Sequence, residues 1–146
     1  MVGQAPWFPP IKFDQEVIQT LIPWNNMTNK LIYNEILALI DVEFQWIADL
    51  ELDSYFIPDS IQPSMEARLN NSSNQVIRKQ WMDFIAIMCS EFREIEDKGY
   101  GYTVRDDLEL DLKRAMGNIP NITHKNAIYN VIDIYLREFA LMEIAF

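Results

Sequence analysis

Ile77, Trp81, Phe84, Ile85, Met88, Phe92 and Ile95 recur at the i, i+4, i+7, i+8 spacing that gathers side chains on one face of an α-helix. A strand cannot do this, because its side chains alternate faces every second residue. Ser72 and Gln75 have the form of a capping box before the run. Gly99 follows it, and glycine suits the left-handed position that ends a helix. The spacing predicts a helix over about 73–97, the element around which the rest of the chain must be arranged.

Three further runs share this period. Ile32, Ile36, Leu39, Ile40, Ile47 and Leu50 predict a helix over about 27–54. Val104, Leu108, Leu112, Ala115 and Met116 predict one over 104–116, opened by Thr103 and Asp106 as a capping box and closed by Gly117 and Pro120. Ile128, Val131, Ile132, Tyr135, Phe139 and Met142 predict a last helix over about 124–145, capped by Thr123. Two short helices are expected, at 15–22 after Asp14 and at 64–69 capped by Ser64. Residues 1–13 include Pro6, Trp7, Phe8, Pro9 and Pro10 and read as an extended arm. Proline lowers the entropy lost on ordering such an arm. Its two aromatics favour a strap packed on the bundle over a free docking peptide. The expected fold is all-α, one domain over 1–146, built as a compact bundle of four main helices with two short ones. Only four glycines in 146 residues speak against a turn-rich all-β alternative.

Charge narrows the function classes. Net charge is −10, concentrated in two blocks. Residues 31–67 hold eight acids and no Lys or Arg. Residues 91–111 hold eight acids against Arg93, Lys98 and Arg105. Such a surface repels nucleic acid and anionic lipid and attracts basic partners. No run is apolar enough to span a membrane, since the most hydrophobic, 126–146, contains Asp133, Arg137, Glu138 and Glu143. Pro6, Pro9 and Pro10 interrupt any N-terminal signal pattern, and the single cysteine, Cys89, allows no internal disulfide. A cytoplasmic location is therefore expected.

No catalytic set emerges. Glu43, Glu91 and Glu138 lie on or beside helix stripes, as the carboxylates of a di-iron bundle would, but that site needs Glu-x-x-His on two helices and the one histidine is His124. Glu43 reads instead as a buried acid paired with an Arg or a Tyr hydroxyl. Cys89 reads as a small core residue and His124 as a first-turn surface residue. With no Gly-rich phosphate loop and no basic cluster, the expectation is a non-catalytic protein without metal or cofactor.

Helix dipole and capping account for Asp106, Asp107 and Glu109 at the start of a helix that ends in Lys113 and Arg114. They leave Leu110 off the stripe, beside Asp111, and leave the neighbouring run of Glu94, Glu96, Asp97, Tyr100 and Tyr102 unexplained. An acidic rim around Leu110 and two exposed tyrosines is the form an interface for a basic partner takes. The leading expectation is an immunity or inhibitor protein that neutralises a basic toxin such as a nuclease. The alternative is a structural or adaptor subunit of a helical homo-oligomer, because Ile134, Leu136, Ala140, Leu141 and Ile144 make the last helix apolar nearly all round.

Overall fold

The computed structural model describes residues 27–71, 75–117, 119 and 122–143. The arm over 1–13 with Trp7 and Phe8, the helix over 15–22, the box at Ser72 and the side chain of His124 lie outside the described residues. The described fold is all-α. Its helices are α1 (Met27–Leu50), α2 (Ile61–Arg68), α3 (Gln75–Lys98), α4 (Leu108–Ala115) and α5 (Ile122–Glu143), with 3₁₀ turns at Leu69–Asn71 and Gly99–Gly101.

The three long helices meet through rings. Phe44 of α1 lies 5.2 Å from Phe92 of α3 and 5.5 and 5.0 Å from Tyr135 and Phe139 of α5, between ring centroids. Tyr33 stacks on Trp81 at 4.7 Å, joining α1 to α3 again. Each such pair contributes about 0.5–1.5 kcal/mol beyond its area. Around these rings Ile36, Ile40, Ile47, Ile85, Met88, Cys89, Ile95 and Ile132 are fully buried. α2 bridges α1 and α3, and α4 bridges α3 and α5.

The boundaries differ from expectation where a loop competes for the same residues. α1 ends at Leu50, not near 54, because Glu51 takes a left-handed φ of 65° while its N–H still reaches Ile47 O at 3.0 Å. Its buried face includes Tyr33, Leu37, Phe44 and Ala48, whereas Leu39 and Leu50 are only partly covered, so the stripe is rotated from the one expected. α2 starts at Ile61 rather than at Ser64, with Pro63 in its first turn, where a missing N–H costs no helix bond. The Thr103–Asp106 box does not form. α4 starts four residues late, at Leu108, because the Val104 N–H bonds the Glu143 carboxylate and Arg105 is drawn into an ion-pair cluster. Leu108, Leu112 and Met116 face inward as expected. Thr123 falls inside the first turn of α5, which begins at Ile122. Gly99 ends α3 as expected, with φ at +53°.

α5 lies against the rings of both other long helices. Of its residues outside the main stripe, Ile134 and Leu136 pack against the core. Leu141 is partly covered, Ala140 is exposed and Ile144 lies outside the described residues, so the bundle takes up the off-stripe apolar residues of α5 only in part. Among the described residues no helix is long and apolar enough to cross a membrane.

Candidate functional site

The two acidic blocks, far apart in sequence, are tied together at one end of the bundle. After α1, the loop of Glu51 to Ser60 folds against the end of α3 and the turn that follows. The Tyr100 hydroxyl donates to Glu51 Oε2 at 2.9 Å, and the Tyr100 N–H donates to Asp53 Oδ1 at 3.3 Å. The Ile57 N–H donates to Glu96 Oε1 at 3.2 Å. Gly99 permits the approach, since a Cβ there would sit 2.3 Å from Asp53 Oδ1. Leu52, Tyr55 and Ile57 are buried beneath this clamp, and the Tyr55 hydroxyl donates to the buried Glu43 at 2.8 Å. Burial pushes the Glu43 carboxyl up, and the Tyr55 hydroxyl draws it partly back.

Phe56 emerges from the middle of this clamp. In the stretch before Pro58 successive side chains alternate in burial: Tyr55 in, Phe56 out, Ile57 in. Phe56 is 60% exposed, the largest exposure of any aromatic described. Sequence reading passed over it by extending α1 toward it. The alternation ahead of Pro58 was the signal that could have found it.

Of the residues expected to form the interface, Glu94, Glu96, Asp97 and Tyr100 lie at this end. Glu94 pairs with Lys98 at 2.9 Å, and Glu96 and Asp97 are exposed. Tyr102 is a correction. It is 1% exposed, its hydroxyl donating to Glu91 Oε2 at 2.5 Å and its ring set beside Phe139, so it is a core residue and not part of the rim. The reason is the 3₁₀ turn over Gly99–Gly101, which sends the two tyrosines in different directions.

Asp107 and Asp111 gather around Arg105, whose Nη1 lies 2.9 and 2.6 Å from them while its Nε lies 3.5 Å from Glu91. Glu109 shares Lys113 with Asp133. These acids are locally neutralised, which weakens their share of any acidic face. Asp106 is exposed, and Leu110 is 55% exposed, as its place off the stripe implied.

Glu43 and Glu91 thus each accept a tyrosine hydroxyl. Among the described residues no group of three or more His, Cys, Asp or Glu side chains stands close enough to hold a metal ion. Cys89 is buried, and its thiol is pushed up to about 12 by that burial. No family model, curated protein or solved structure matches this chain.

Proposed function

We propose that this chain is an acidic protein-binding domain that neutralises a basic protein partner, in the manner of an immunity protein covering a cationic nuclease toxin. The observation that supports it is the clamp, which ties acids from both blocks (Glu51, Asp53 and Glu96) to the loop that carries the exposed ring of Phe56 and to the turn facing it. Acids at the rim speed encounter with a cationic surface, and an aromatic at the centre supplies contact once docked. A nuclease site is cationic because it must hold phosphates, so it matches this surface in sign. The adaptor alternative has less support, since Ile134 and Leu136 of α5 pack against the bundle's own core.

The test mixes the full chain with any basic protein that a neighbouring reading frame is found to encode. Stopped-flow mixing is expected to give association that slows steeply as salt rises, and the complex is expected to lack the partner's activity. No complex at low ionic strength, or association indifferent to salt, would reject the reading.

A further inference from the structure

Glu138 is a buried carboxylate of a different kind from Glu43 and Glu91. It is 1% exposed, and its Oε2 has no hydrogen-bond partner among the described residues. It stands on α5 between Tyr135 and Phe139, the two residues whose rings meet Phe44 of α1. Asp41, one turn before Phe44, is half-buried and acts electrostatically on both Tyr135 and Glu138. Among the described residues the compensating cation that acts on Glu138 is Arg137, exposed on its own helix. From Leu31 to the end of α1 the helix carries no Lys or Arg. A carboxylate with an unsatisfied oxygen in such a place is costly while ionised and tolerable while protonated.

We propose that the seam between α1 and α5 is a pH-responsive joint, held shut while Glu138 keeps its proton and loosened when Glu138 and Asp41 are both ionised. Burial, opposed by Arg137 and reinforced by Asp41, pushes the Glu138 carboxyl up to about 7, and burial pushes Asp41 up to about 6. Both groups bind their protons more tightly folded than unfolded. Stability from this source is therefore full below the ordinary carboxylate range and falls as pH rises from there through 6 and 7, by at most about tenfold in the closing equilibrium per pH unit for each proton shed.

Two readouts test the joint in the full chain. Carboxyl ¹³C resonances should show Glu138 titrating near neutrality, and Asp41→Asn should move that midpoint down toward the ordinary carboxylate range. Hydrogen-exchange protection, corrected for intrinsic rates, should fall about tenfold or more in the middle of α5 between mildly acidic and mildly basic pH, and fall less in α2. Glu138→Gln should remove the pH dependence in α5. A Glu138 midpoint in the ordinary range, an equal loss in α2 and α5, or a fall that survives Glu138→Gln would overturn the proposal. If Glu138→Gln does not fold, the Asp41→Asn titration decides alone.

Discussion

Tyr102 shows how much one hydroxyl can settle. Its ring belongs to the core beside Phe139, and its oxygen has a single buried acceptor, Glu91. Glu91 is pushed up by burial and drawn down by Tyr102 and Arg105. Tyr102→Phe keeps the ring and removes the donor, leaving the carboxylate only the 3.5 Å contact with Arg105. The expected loss at neutral pH is about 1–3 kcal/mol, the cost of leaving a buried acceptor short of a partner. The sign of the pH dependence follows. Without the hydroxyl, the folded Glu91 pKa rises further above its unfolded value, so the penalty applies where Glu91 is ionised. It should shrink as pH falls and the carboxyl takes up a proton. Urea denaturation at neutral and acidic pH measures this, and a penalty that grows on acidification would contradict the assignment.

Among elements, the clamp between the α1–α2 loop and the α3–α4 turn decides where the acids lie. Gly99 has two reasons to be glycine, its φ of +53° and the nearness of Asp53 Oδ1. Gly99→Ala should therefore cost about 1–2 kcal/mol for the left-handed backbone, plus the lost bond from Tyr100 N–H to Asp53 as the carboxylate is displaced. In a double-mutant cycle, Asp53→Ala should remove the second part and leave the first. Strict additivity would mean that the two residues do not meet. This clamp was the least legible part of the sequence. The long helices could be read because their period persists over many turns, as from Ile77 to Ile95, and an acid set in an apolar stripe implied that Glu43 is buried with an Arg or a Tyr hydroxyl as partner, of which the structure shows Tyr55. The clamp rests on contacts between residues 39 to 49 positions apart, such as Ile57 with Glu96 and Glu51 with Tyr100, and periodicity carries no such information. The helix starts failed for the same reason. Val104 and Arg105 fit a helical pattern locally, but Glu143 and Asp111 hold them in a loop. Tyr102 was misplaced because its direction depends on the turn before it, not on its own neighbours.

At the scale of the whole molecule, the question is whether the acidic end steers a partner or only keeps the chain in solution. Glu94, Glu96 and Asp97 can be neutralised with little harm to the fold. Glu94 forms an exposed i, i+4 pair with Lys98, worth only a few tenths of a kcal/mol. Glutamine at 96 retains an oxygen to accept the Ile57 N–H, and acids at the end of a helix oppose its dipole. Replacing all three with Gln should leave the melting temperature nearly unchanged. Against a basic partner, the same change should slow association several-fold at low salt and flatten its salt dependence, with little effect on dissociation. Phe56→Ala should do the reverse. An exposed ring contributes little to folding, so stability should hold, while dissociation should quicken by about tenfold or more if the ring is buried on docking. Tyr100→Ala is a poorer probe, since it also removes the hydroxyl that holds Glu51 in the clamp. Loss of rate in the charge variant with no change in Phe56→Ala would leave a steering surface whose contact lies elsewhere, with exposed Leu110 the next to test. Unchanged association in the charge variant at low ionic strength would reduce the acidic end to a solvated surface.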